Sequence, residues 1–322
     1  MHEAPGRQRE DSATPLVIAP GNYDGVHVGH QALIERARSC ARDSGLRTRV
    51  LTFDPHPTTV LSPEHAATPL TTIDRRRELL LAFGADEVFV QPFSNEFAAQ
   101  SPDAFVRSLL TQGTRAMVVG HDFRFGAKAA GDVEVLRALG ETLGFEVFVE
   151  GPVNQAGKRV SSSAIRTALQ AGDVRAAAAA QRRVHEVAGT VIRGDGRGAQ
   201  LGFATANLQA DPVLQPADGV YAVYARIEDE PGEPGAPLWR AVANLGVRPT
   251  FEAGRSLEVH VLDFEGDLYD KRLRVGFGAR LRGERRFEGV DALKAQLQCD
   301  CDEARAALRA LDESDEGWSA WI

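Results

Sequence analysis

The apolar pattern of this chain changes character once, near Val184. Before that point short apolar runs alternate with stretches of helical period. LVIA (16–19), RVLTF (49–53), DEVFVQPF, RAMVVG and FEVFVEG read as strands. Between them lie a helical face from His30 to Ser44, TIDRRRELLLAFG with Thr72 as cap and Gly84 as stop, a helix opened by Ser101-Pro102, and VEVLRALGETLG. Such alternation predicts a doubly wound parallel sheet covered by helices, with ligands bound beyond the carboxyl ends of its strands. After that point the runs GVYAVYARI (219–227), LWRAVANLGV (238–247), LEVHVLDF (257–264) and KRLRVGFGARL (271–281) are separated by turn residues, and one helix follows from Val290 to about Leu311. That half predicts a small closed β-barrel with a C-terminal helix. The expected class is therefore α/β plus all-β. The expected divisions are a leader at 1–15, a first domain at 16–184 and a second at 185–322.

Length agrees, since 322 residues suit two domains at ~100–200 residues each. The net charge of −8 argues against broad nucleic-acid or membrane-surface binding, though a pocket can still be locally basic. No apolar run approaches the ~18 residues of a transmembrane helix, and MHEAPGRQREDSATP lacks the apolar centre of a signal peptide. The three cysteines, Cys40, Cys299 and Cys301, form no metal-binding spacing and suit a reducing compartment. The expectation is a cytoplasmic protein with small-molecule ligands, no nucleic acid, no membrane and no stable protein partner.

The chemistry starts at GNYDGVHVGHQAL (21–33). Gly21 and Gly25 allow a tight turn after the first strand, and Gly29 lets a ligand approach between His27 and His30. His30 falls in the first turn of a helix, where unpaired N–H groups and the helix dipole favour an anion. Two imidazoles there can donate to phosphate oxygens as charge builds.

GxxDGxHxGH resembles the HxGH signature of the nucleotidyltransferase superfamily, of Rossmann-like fold, whose histidines engage the phosphates of ATP. VSSSAIR (160–166) is similar to its second signature; by that resemblance Ser162 and Ser163 offer hydroxyls and amides, and Arg166 neutralises leaving pyrophosphate. TFDPHP (52–57) and VGHDFRFGAKAAGD (119–132) resemble the flavin-adenylylating part of prokaryotic riboflavin kinase/FAD synthetases. The resemblance implies ATP- and flavin-binding roles for Gly21, Asp24, Gly29, Asp54, His56, Asp122 and Phe125.

GTVIRGDGRGAQLGFATANL (189–208) resembles the riboflavin kinase signature of the same family, in which a Greek-key barrel carries a glycine-rich phosphate loop. Gly194 and Gly202 would belong to that loop, and Thr205 and Asn207 would hold Mg²⁺ with the nucleotide. ANLGVRPTF (243–251) and LEVHVLDF also match, and by resemblance Glu258 is the base that takes the ribityl hydroxyl proton. The chain departs from the pattern at Ala199, usually arginine, at Ala204, usually proline, and at RRVH (182–185), usually a Gly-Arg-Pro-Tyr-like linker. The resemblance, covering about 16–310, implies conversion of riboflavin to FMN and of FMN to FAD, with ATP and Mg²⁺. The departures keep three alternatives open: an adenylyltransferase with a weakened kinase part, a paralogue acting on a modified flavin, and a non-catalytic flavin binder.

Overall fold

The computed structural model describes residues 15–194, 198, 201–228, 237–247, 255–314 and 317–321. The expected leader as far as residue 14, Ala199 and residues 248–251 lie outside them. The chain packs as two compact units. The first holds the described chain up to Tyr23, Gly29–Ala67 and Arg77–Pro152; the second holds Asp24–Val28, Thr68–Arg76 and the described chain from Val153 onward. Among the described residues no helix is long and apolar enough to cross a membrane.

The first unit is built on a five-stranded parallel sheet ordered β3-β2-β1-β4-β5. Its strands are β1 (Leu16–Pro20), β2 (Arg47–Asp54), β3 (Glu87–Pro92), β4 (Thr114–Gly120) and β5 (Glu146–Glu150). The helices between them are α1 (Val28–Ser44), α2 (Ile73–Ala82), α3 (Pro102–Leu110) and α4 (Val133–Leu143). Every residue of β1 is buried, as a central parallel strand requires. Local chemistry sets the helix ends. Ser101 Oγ accepts from Ala104 N at 3.2 Å to open α3, Asp132 caps α4 at Val135 N, and Gly144 ends α4 at φ +77°. α1 starts at Val28, two residues earlier than its apolar face suggests, which leaves His30 in the first turn. Strand order reverses between β1 and β4, and the chain leaving β1, β2 and β4 emerges at the carboxyl edge of the sheet, where such folds hold ligands.

The second unit contains α5 (Ser162–Gln170), α6 (Val174–Gln181) and a closed antiparallel barrel. The barrel strands are β6 (His185–Ile192), β7 (Ala206–Ala210), β8 (Gly219–Glu228), β9 (Trp239–Val247), β10 (Arg255–Val261) and β11 (Arg272–Arg282), closed in the order β8-β9-β10-β7-β6-β11. With β11 beside β8, the last four strands make a Greek key. Val187, Val223, Leu245, Val259, Val275 and Phe277 fill its interior and are fully buried. α7 (Val290–Asp312) packs Ala304, Leu308 and Leu311 against Tyr224 and Val242.

Two barrel strands, β6 and β7, escape the sequence pattern. β6 carries Gly189, where a Cβ would lie 2.5 Å from Gln209 O, so the close approach of β7 excludes any side chain there. RRVH is not a solvated linker. Arg183 and His185 are fully buried, and His185 is the first residue of β6.

Candidate active sites

The segment after β1 is tightly wound, with Tyr23, Gly25 and Val26 all in left-handed backbone (φ +53°, +81° and +40°). Gly21 is required there, because a Cβ would sit 2.9 Å from Tyr23 Cε2. The buried Tyr23 hydroxyl donates to Ala19 O at 3.1 Å, and burial pushes its pKa well above the tyrosine range. Its ring lies 5.1 Å from that of His30. Gly29 falls within the first turn of α1 and His27 just before it, largely buried.

Asp24 is not an open ligand but a buried hub. Its carboxylate accepts from Leu70 N at 3.0 Å, Thr71 N at 3.3 Å, Arg76 Nη2 at 3.2 Å and the Arg166 guanidinium. Arg166 also donates through Nε to Thr68 O at 3.0 Å. Two guanidinium groups thus meet one carboxylate three residues before His27. Ser162 Oγ donates to Asp24 O at 2.8 Å. The cap of α5 is Ser161, whose Oγ accepts from Ala164 N at 3.2 Å, so Ser162 and Ser163 occupy the first two helical positions, where backbone N–H groups point outward. Ser163 is exposed. The second unit thus brings Asp24, Ser162 and Arg166 together three residues from His27.

In the first unit, Asp54 ends β2 exposed. His56 spends Nδ1 locally on Thr58 Oγ1 (2.8 Å) and Thr58 N (3.3 Å), capping the short helix Pro57–Leu61. Asp122 is exposed just past β4. Phe125 is a core residue, stacked on Phe123 at 5.4 Å and 5.6 Å from Phe105. Phe123, the less buried ring of the stack, offers the accessible aromatic face in this loop, which sequence reading missed.

The barrel gathers a second set. The register of β7 on β10 sets Asn207 directly opposite Glu258, and both are half-buried. A Cβ on Gly198 would lie 2.4 Å from Phe203 O and 3.2 Å from Thr205 Oγ1, so the close backbone approach there requires glycine, while one on Gly194 would lie 2.1 Å from Asn207 Nδ2, a side-chain end that could shift. Gly202 is exposed in a left-handed turn (φ +86°). His260 Nδ1 meets Ala204 O at 2.7 Å. Glu258 and Thr205 line a cavity of about 290 Å³ whose apolar wall includes Phe203, Phe287, Leu293 and Leu297. Asp300, fully buried, takes Arg282 through bonds of 2.9 and 2.7 Å and ties α7 to β11 beside this cavity. The α7 residues were missed because their helical spacing reads as ordinary core.

Residues 9–164 match the family model described as FAD synthetase, and residues 181–308 the one described as riboflavin kinase. A bifunctional riboflavin kinase/FMN adenylyltransferase of Pseudomonas fluorescens is 39% identical over 294 residues, covering 90% of this chain and 92% of the relative. The enzymes of the same name from Listeria monocytogenes and Escherichia coli are 35% and 36% identical, covering 92% and 88% of this chain and 94% and 90% of their own lengths. A crystal structure from Streptococcus pneumoniae, described as a macrolide-efflux protein, superposes with a TM-score of 0.83 at 30% identity, over 91% of this chain and 95% of that one. With both family models matched in succession and relatives aligned along about 90% of either chain, this protein belongs to the bifunctional riboflavin kinase/FMN adenylyltransferase family.

Proposed function

We propose that this chain makes FAD from riboflavin in two ATP-dependent steps. Residues 185–322 phosphorylate riboflavin to FMN, and residues 16–184 transfer AMP from ATP to FMN with release of pyrophosphate. The observation that carries the reading is Asn207 set opposite Glu258, with Glu258 lining a partly apolar cavity. A carboxylate beside neutral oxygen donors and an apolar wall is what phosphorylation of a flavin alcohol needs.

In the kinase step Glu258 accepts the proton of the ribityl 5′-hydroxyl as that oxygen attacks the γ-phosphorus and ADP leaves. Phe203, Phe287, Leu293 and Leu297 cover the flavin ring. Among the described residues no group of three His, Cys, Asp or Glu side chains could hold a metal. A divalent ion here would rest on Thr205, Asn207 and the phosphates of the nucleotide, a set of hard oxygens that fits Mg²⁺. When bound, Mg²⁺ neutralises charge on the β- and γ-phosphates.

In the adenylylation step a phosphate oxygen of FMN attacks the α-phosphorus of ATP. His27 and His30 donate to the phosphate oxygens, the first-turn amides at Ser162 and Ser163 hold the polyphosphate, and Arg166 neutralises the leaving pyrophosphate. Asp54, His56, Asp122 and Phe125 are the proposed flavin and nucleotide contacts of the first unit. The test is incubation of the purified protein with ATP, Mg²⁺ and either riboflavin or FMN, the flavins being resolved by chromatography. FAD from both inputs supports the reading. FAD from FMN only reduces it to adenylylation, and no turnover from either overturns it.

A further inference from the structure

One backbone carbonyl near His27 is held with unusual completeness. Gly25 O accepts from Gln181 Nε2 at 3.0 Å and from Arg183 Nη2 at 2.8 Å, and both donor side chains are 0% exposed. The peptide they hold lies two residues before His27. Gly25 and Val26 both have left-handed backbone, so the chain turns sharply there and a small rotation at Gly25 re-aims His27. The Gly25 position is also closed to a side chain, since a Cβ there would lie 2.7 Å from Leu70 Cδ1. Arg183 is fixed in turn: Nη1 donates to Val184 O at 3.3 Å and lies 3.7 Å from Glu186, which Arg75 binds through two contacts of 2.8 Å. Burial pushes the Arg183 pKa down to about 10, a cost that a merely structural side chain could avoid by being apolar.

We propose that Arg183 and Gln181 are positioning residues for AMP transfer, holding the Gly25 carbonyl and so aiming His27 at the phosphate under attack. Both lie where the match to riboflavin kinase begins, at the end of the part assigned to AMP transfer. The inference rests on the assignment of His27 to adenylyl transfer made above.

The test uses the full-length chain and measures FMN-to-FAD and riboflavin-to-FMN conversion in the same preparations of wild type, His27→Ala, Gln181→Met, Arg183→Met, Arg183→Lys and His27→Ala/Gln181→Met. Misplacement of a catalytic group by about 1 Å costs on the order of 100-fold in rate. Arg183→Met is therefore expected to lower the adenylylation kcat by roughly 10- to 100-fold and Gln181→Met by roughly 5-fold, with ATP KM and riboflavin phosphorylation within about 2-fold of wild type. Arg183→Lys recovers part of the loss. In the His27→Ala background Gln181→Met costs less than about 2-fold, because residues acting through one group are not additive. Gln181→Met removes no charge, so it decides the matter even where Arg183→Met fails to fold. The proposal is overturned by an unchanged adenylylation kcat in Gln181→Met, by a parallel fall in phosphorylation, or by a full Gln181→Met effect on top of His27→Ala. Should His27→Ala itself keep the wild-type rate, the assignment of His27 falls and the positioning role with it; should His27→Ala lose activity while Gln181→Met does not, only the positioning role falls.

Discussion

Arg182 ends α6 in left-handed backbone, at φ +51° and ψ +32°, and is exposed. Its position is the one where the Gly-Arg-Pro-Tyr-like pattern has glycine, so the departure has a conformational cost. Left-handed backbone costs a non-glycine residue ~1–2 kcal/mol, against ~0.5–1 kcal/mol of extra chain entropy for glycine. Arg182→Gly should therefore raise stability by about 0.5–1 kcal/mol, read as a higher thermal midpoint. His185, in the same stretch, is buried with Nε2 at 2.7 Å from Leu214 O, and burial pushes its pKa down to about 4. A depressed folded-state pKa means the contribution is complete above the unfolded value of about 6.5 and is lost as pH falls toward 4. Melting curves from pH 7 to 4 should show a falling midpoint, and His185→Gln should flatten the fall, which spans up to about 3 kcal/mol. Glu258→Ala should abolish FMN formation and leave FMN-to-FAD conversion within about 2-fold, measured by flavin chromatography. At this scale the motifs that name the imidazole pair and the Thr205, Asn207 and Glu258 set as candidates stand in the sequence itself. The inward-facing role of Asp24 was not legible there, because nothing local to DGVHV announces that its carboxylate meets Leu70, Thr71, Arg76 and Arg166.

Elements were legible where periodicity is undiluted. β1, β4, β8, β9 and β11, and α3 with its Ser101-Pro102 opening, agree with their apolar patterns to within a residue or two. β6 and β7 were hidden by the glycine that lets them pair. The bond pattern runs from Gly189 opposite Ala210 to Ile192 opposite Asn207, so the strand that admits glycine also sets the position of a proposed metal ligand. Gly189→Ala would push a methyl to 2.5 Å from Gln209 O. The expected result is a loss of about 1–3 kcal/mol in urea denaturation and a kinase rate that falls more than the adenylylation rate.

For the whole molecule, the succession of two folds could be read from the change near Val184, because alternation and strand runs are local properties. The membership of the second unit could not. Its Asp24–Val28 and Thr68–Arg76 segments join residues far along the chain, and long-range bonds such as Ser162 Oγ to Asp24 O and Leu214 N to Pro69 O reveal it. All three tryptophans, Trp239, Trp318 and Trp321, lie in that unit. Tryptophan fluorescence therefore reports on the body that contains His27. In a urea titration the loss of AMP transfer should follow the fluorescence change point by point; activity that persists beyond that change would contradict the grouping.

The double clasp on Gly25 also bears on how the protein is born. Gln181 and Arg183 follow Gly25 by 156 and 158 positions, an interval of about 8–30 s at typical synthesis speeds. A nascent chain can complete the strands through Glu150 well before the clasp emerges from the ribosome. Under the positioning role proposed above, AMP transfer by a growing chain therefore waits until residues 181–183 have left the ribosome, an order set by the sequence alone.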